Sequence, residues 1–387
     1  MPDQRCIPLA RWADARLAEL ARVTGSDKIS ALDGATLLGE RAALNRFVVP
    51  GRRSAGGGCR MFDALDGTIA LNLARPDDRE LLPALVGADD FDVADVAAVA
   101  SRIAAQPVAA LIERGRTLGL AIAGIDEVPA SPAVEITVAG SPHERPERPL
   151  VLDLSALWAG PLAAHLLWAS GADVIKVESR NRPDSLRDGD PALFALLNQG
   201  KANVALDLRD GADRAALLTL IRHADLVIEA ARPRALLQLG IDAAALVRDV
   251  PGLVWLTITG HGVSGAAANW IGFGDDTAVA GGLGAALRDA TGTPGFVGDA
   301  LGDPLTGIYA ASVAAAALAS GQGGRHVIAM SGVVAMALAS ERATNAGQFA
   351  RDLQVWAKSV GQPFPAVTAR QTGPIAPLGA DNARLLS

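Results

Sequence analysis

The stretch VLDLSALWAGPLAAHLLWASGADVIKVES, residues 151–179, passes from strand to helix and back to strand within one short span. Its apolar start, 150–154, reads as a strand that the WAGP turn breaks. Residues 162–169 are helical in spacing, and DVIKV (173–177) is a second strand. The same alternation continues toward the C-terminus. Segment 202–208 is followed by a helix through Arg222, then DLVIE (225–229), another helix, and LVWLTIT (253–259). Short apolar strands alternating with helices build βαβ units, and so a doubly wound, mostly parallel sheet covered on both faces. Ligands of such sheets bind beyond the carboxyl ends of the strands. That rule puts the WAGP turn, the segment after Val177 and the ITGHG turn (258–262) at a candidate site. No GxxxxGK[ST] occurs, which argues against a P-loop nucleotide site.

Toward the N-terminus the pattern changes at 129–149, PASPAVEITVAGSPHERPERP. Its five prolines favour extended backbone and disfavour helix in the residues before them, so it reads as a linker. The expected organisation is a smaller α+β domain over 1–128, the linker over 129–149 and a large α/β domain over 150–387. Within the small domain, 12–23 and 93–118 carry helical spacing and TIALNL (68–73) reads as a strand. Between them GRRSAGGGCR (51–60) holds three consecutive glycines. Such a run marks either a mobile loop or a close backbone approach to a ligand.

Composition sets outer limits. The 387 residues carry a net charge of −7, which argues against a nucleic-acid surface but leaves room for a local basic pocket. Two cysteines, Cys6 and Cys59, supply neither a disulfide framework nor a zinc site, so no metal is expected. The polar start MPDQRC shows no secretory signal, and the longest uncharged apolar runs fall short of a membrane span. These features read as a soluble cytoplasmic protein.

GFVGDALGDPLTG (295–307) contains two carboxylates, Asp299 and Asp303. Asp303-Pro304 has the form of a helix start, with aspartate as N-cap and proline in the first turn of a helix over 308–320. Asp299 reads as a turn residue.

Taken in order, several segments resemble the class III CoA-transferases (the CaiB/BaiF group, which includes formyl-CoA transferase). They are 151–179, RPDSLR (182–187), LNQGKANVALDL (197–208), ADLVIEAARPRALLQLGI (224–241), GDPLTG (302–307), GQGGRHVIAMS (321–331) and APLGADNARLL (376–386). Residues 54–87 resemble the small domain of the same family with its glycine-rich loop. That domain ordinarily comes late in the chain, so its place here implies a permuted order.

The resemblance implies an acyl-CoA:carboxylate CoA-transferase with coenzyme A thioesters as substrates, a carboxylic acid as acceptor, no permanently bound cofactor, and a homodimeric assembly. It assigns Asp303 as the nucleophile, ionised at neutral pH and in need of no general base. Gly57 and Gly58 would belong to a loop closing over the aspartate. Trp158, Ala159, Gly160, Arg187, Lys201 and Arg232 would contact CoA, with Arg234 close by. Trp158 departs from the glutamine common in formyl-CoA-transferase-like members, and Gln238 stands where some members have arginine. Two other readings are an α-methylacyl-CoA racemase, which shares the fold, and a non-catalytic CoA-binding homologue. The racemase would need a histidine where this chain has Gly274.

Overall fold

The computed structural model describes residues 6–144 and 146–386, with Pro233 and Arg234 described by backbone alone. The initial MPDQR and the side chain of Arg234 therefore lie outside the described part. Ten strands are present among the described residues. They are β1 (Cys59–Ala64), β2 (Gly67–Asn72), β3 (Ala121–Gly124), β4 (Val134–Pro142), β5 (Leu150–Asp153), β6 (Asp173–Ser179), β7 (Ala202–Leu206), β8 (Leu226–Glu229), β9 (Val254–Thr259) and β10 (Gln322–Ala329).

Strands β4 to β10 form one seven-stranded sheet in the order β4-β10-β9-β8-β5-β6-β7. All neighbours run parallel except β4, which is antiparallel to β10. Successive residues of a strand point to opposite faces, and both faces are buried. Val151, Val174, Ile228 and Leu256 join one apolar core, while Leu152, Ile175, Val227 and Trp255 join another. This is the doubly wound α/β architecture. Because chain order runs outward in both directions from the β8–β5 pair, a topological switch point lies between those strands.

Two boundaries differ from the sequence reading. The segment read as a linker contains β4, whose alternating VEITV pairs with the edge strand β10. It is extended as its prolines require, but it is part of the sheet. The helices Ala10–Thr24 and Gly34–Leu44 also leave the small unit. Trp12, Leu17, Leu37 and Leu38 share the core that contains Leu162, Ile308 and the sheet. Their apolar faces are matched by the alanine-rich helix Gly302–Ser320, whose small side chains allow close approach.

What remains as a separate unit is the three-stranded antiparallel sheet β1-β2-β3 with its covering helices. The 93–118 segment is two helices, Val96–Ala104 and Val108–Thr117, broken at Pro107. One face of this small sheet packs on the helix Gly274–Ala280 through Cys59, Met61, Ala70, Ala123 and Val279. Among the described residues no single helix is long and apolar enough to cross a membrane.

Candidate active site

Leu301 is the N-cap of the helix Gly302–Ser320, so Asp303 is its second residue rather than its N-cap. Its carboxylate lies against the backbone of Gly274, and the N–H groups of Ala159 and Gly274 favour its anion. Two glycines make this approach possible. A Cβ on Gly274 would lie 2.3 Å from Asp303 Oδ2, and one on Gly307 would lie 2.8 Å from the Ala159 carbonyl oxygen. Ala300, which precedes the helix, is held at φ 47°, a left-handed conformation that costs a non-glycine residue free energy.

Asp303 opens onto a cavity of about 380 Å³ at the carboxyl ends of the parallel strands. Its walls come from the turns after β5 (Ala159, Gly160), β8 (Arg232) and β9 (Gly260), from Trp270 and from Arg182. The cavity thus occupies the switch point. Arg182 and Arg232 are exposed at it and form no ion pair among the described residues, leaving two guanidinium forks for an anion. Arg182 was not singled out from the sequence, although it lies in the loop after a strand end, where such groups collect.

Behind Asp303 lies a buried carboxylate group facing one cation. Arg41 Nη1 donates to Asp299 Oδ1 at 2.9 Å, and Nε is 3.8 Å from Asp190. The guanidinium also lies 5.3 Å from the Trp158 ring centroid. Asp299 lies in the turn before the helix, as expected, and is there a fully buried ion-pair partner. At Asp275 the Ser54 hydroxyl and the Ala300 backbone favour the anion against burial. Asp276 accepts from Phe273 N–H at 3.0 Å and from Asn72 Nδ2 at 3.3 Å.

Burial raises four of these carboxyls: Asp276 is pushed up to about 8, Asp299 and Asp303 to about 7, and Asp275 upward as well. Arg41 works against that rise at Asp275, Asp299 and Asp303. The expectation of a carboxylate simply ionised at neutral pH is corrected here. The helix N-terminus and the two N–H donors favour the anion, but desolvation beside Asp275 outweighs them.

The glycine loop meets this group edge-on. A Cβ on Gly56 would fall 2.9 Å from Arg41 Nη2, so a side chain there would collide with the cation. Gly57 and Gly58 line a second cavity instead, with Gly57 at φ 79°.

Three residues expected at CoA are internal. Lys201 Nζ donates to Asp153 Oδ2 at 2.7 Å, Pro161 O at 2.9 Å and Asn198 Oδ1 at 3.0 Å, which uses all three of its N–H groups. Arg187 is bidentate to Glu178 and lies over the Phe194 ring at 4.4 Å. Trp158 is buried on the Arg41 side of its turn and does not reach the cavity. These groups support the turn. Lys201 holds Pro161, while Lys176 pairs with Asp184 at 3.2 Å and Asp184 accepts from the N–H of Leu157. Leu157 sits at φ 67°, so the turn is strained and this network restrains it. A buried lysine and a surface lysine look alike in sequence, because the difference lies in which strands become neighbours.

A fold of this kind, with an aspartate at the helix start facing the switch-point cavity, defines an α/β enzyme-type site. The model of CoA-transferase family III matches residues 149–365, and the chain belongs to that family. It is 34% identical over 195 residues to the succinyl-CoA–D-citramalate CoA-transferase of Chloroflexus aurantiacus, covering 46% of this chain and 48% of that one. It is 32% identical over 208 residues to the succinate–glutarate CoA-transferase of Agrobacterium fabrum, covering 49% and 52%. A crystal structure of a hypothetical protein from Mycobacterium tuberculosis superposes with a TM-score of 0.47 at 27% identity, covering 54% of this chain and 60% of that one. The chain spans about half the length of the curated relatives it matches.

Proposed function

We propose that this chain is an acyl-CoA:carboxylate CoA-transferase with Asp303 as the group that carries acyl and CoA in turn. The observation that supports it is the Asp303 carboxylate, set against Gly274 and open to the switch-point cavity. The ionised carboxylate attacks the thioester carbonyl, forming an acyl-aspartyl anhydride as the C–S bond breaks and CoA leaves as thiolate. The thiolate then attacks the aspartyl carbonyl, which gives an aspartyl-CoA thioester and releases the first acid. An acceptor carboxylate attacks that thioester carbonyl, expelling the thiolate and forming the second anhydride. Attack of the thiolate on the acceptor's acyl carbonyl yields the new acyl-CoA and restores Asp303.

Each step passes through a tetrahedral oxyanion. In the two steps at the aspartyl carbonyl that charge develops on an Asp303 oxygen, next to the backbone N–H groups of Ala159 and Gly274. Arg182 and Arg232 suit the phosphates of CoA at the outer end of the cavity. Loop 54–58, resting on Arg41 and Asp275, shields the anhydride from water.

In the same reading the small domain is permuted to the N-terminal side, and its docking on the helix Gly274–Ala280 keeps its loop beside the nucleophile. The protein works in the cytoplasm as a homodimer. Sedimentation of the purified chain tests the assembly.

The deciding experiment is intact-mass analysis after mixing with a panel of acyl-CoAs, with and without hydroxylamine. Wild type gains a covalent CoA adduct that Asp303→Ala lacks. An adduct retained by Asp303→Ala removes the proposal.

A further inference from the structure

The small domain contains a cavity of about 220 Å³ that shares no lining residue with the Asp303 cavity. Its floor is apolar, formed by residues such as Phe62, Leu71 and Val99, and three arginines line it: Arg53, Arg60 and Arg79. No carboxylate lines it. The neighbouring Arg52 is neutralised by Asp63 at 2.6 Å, whereas Arg53, Arg60 and Arg79 form no ion pair among the described residues. Among the described residues their side chains make only weak hydrogen bonds to backbone carbonyls: Arg53 Nε to Gly57 O at 3.3 Å and Arg79 Nη1 to Val93 O at 3.5 Å. Guanidiniums gathered without a counter-charge repel one another, and an anion relieves that repulsion while accepting charge-assisted hydrogen bonds.

We infer that this cavity is a second acid-binding site, specific for a small aliphatic carboxylate, whose head takes the arginine forks and whose chain covers the apolar floor. The site communicates with the glycine loop through Arg53. That guanidinium is packed on Gly57, where an added Cβ would fall 2.6 Å from Nη2, and it donates to the Gly57 carbonyl. A carboxylate that engages Arg53 competes with this bond and changes how the loop is held. Gly56, the adjacent residue, abuts Arg41 and so the nucleophile's charge group. Acid bound on one side of the loop is thereby coupled to the chamber on the other. This inference does not depend on the chemistry assigned to Asp303.

The test is saturation-transfer NMR on the full chain without CoA, titrated with hexanoate, acetate and inorganic phosphate. Hexanoate binds with a Kd in the range of about 1–10 mM. It binds at least about tenfold more tightly than acetate, since each buried methylene multiplies affinity about fourfold. The Arg60→Ala/Arg79→Ala pair weakens it by about tenfold or more. Arg60→Lys, which keeps charge and fold, weakens it about threefold because an ammonium cannot match the fork. Hexanoate also slows tryptic cleavage after Arg53, and Asp303→Ala leaves its affinity unchanged. Absence of hexanoate binding, equal binding by the arginine-pair variant, phosphate binding as tightly as hexanoate, or loss of binding in Asp303→Ala overturns the inference. The last outcome would place the acid in the Asp303 cavity, and none of the four bears on covalent adduct formation.

Discussion

The Oδ2 atom of Asp303 lies where a side chain on residue 274 would begin, since a Cβ built on Gly274 falls 2.3 Å from it and 2.4 Å from the Ala300 carbonyl oxygen. No imidazole fits at 274 while Asp303 keeps its place, which is a physical reason to set aside the racemase reading. Gly274→Ala is therefore expected to displace the carboxylate. Adduct formation measured by intact mass should fall about 10²-fold, as small misplacements of a reacting group do. Thermal unfolding should show a loss of about 1–3 kcal/mol from overpacking.

Asp303 is pushed up to about 7, chiefly by burial. The rate of adduct formation between pH 5 and pH 9 (assay limits chosen as about two units either side of the ordinary neutral point) should rise through about 7 and then level off. Arg41→Gln removes the cation that opposes this rise, so the inflection moves to higher pH, and Arg41→Lys returns it part of the way. A pH profile unchanged by Arg41→Gln would show that Arg41 does not act on the nucleophile. Because Asp299 loses its ion-pair partner while buried, Arg41→Gln is also expected to cost stability, about 3–5 kcal/mol by analogy with other broken buried pairs.

Stability carries a matching signature. Asp303 has a folded value above its unfolded one, so its contribution is greatest below the unfolded pKa and is lost as pH rises through about 7. Asp303→Asn removes that loss. The melting-temperature gain of the variant over wild type should therefore be larger at alkaline than at acidic pH. An equal gain at both ends would contradict the desolvated, charge-crowded setting of the carboxylate.

Lys201 and Arg232 should separate into two kinds of defect. Lys201→Ala leaves Asp153 fully buried without its partner and is expected to destabilise by about 3–5 kcal/mol in denaturant unfolding. Arg232→Ala removes an exposed group that lines the cavity. It should leave unfolding within about 0.5 kcal/mol of wild type and raise the KM for acyl-CoA. The reverse pattern would return Lys201 to the ligand and remove Arg232 from it.

Much of the architecture was legible in residue order alone. The apolar runs around 151–259 carry a local periodicity, and period two against a helical period is a property of neighbouring residues that no distant contact needs to supply. For the same reason Ala159 and Gly160 at a strand end, and Asp303 at a helix start, could be located in advance. Tertiary structure decided what those residues face. Arg41 reaches Asp299 across 258 positions of sequence, and that pairing makes a carboxylate group tunable. Lys201 and Arg187 became internal because β5, β6 and β7 are neighbours and their carboxylates had to be neutralised out of water. VEITV joined the sheet because β10 presented an open edge, and the first two long helices joined the large core because an alanine-rich helix left a face for them. Local period follows from covalent order, whereas the partner of a buried charge follows from which surfaces desolvate together, and only the folded chain sets that.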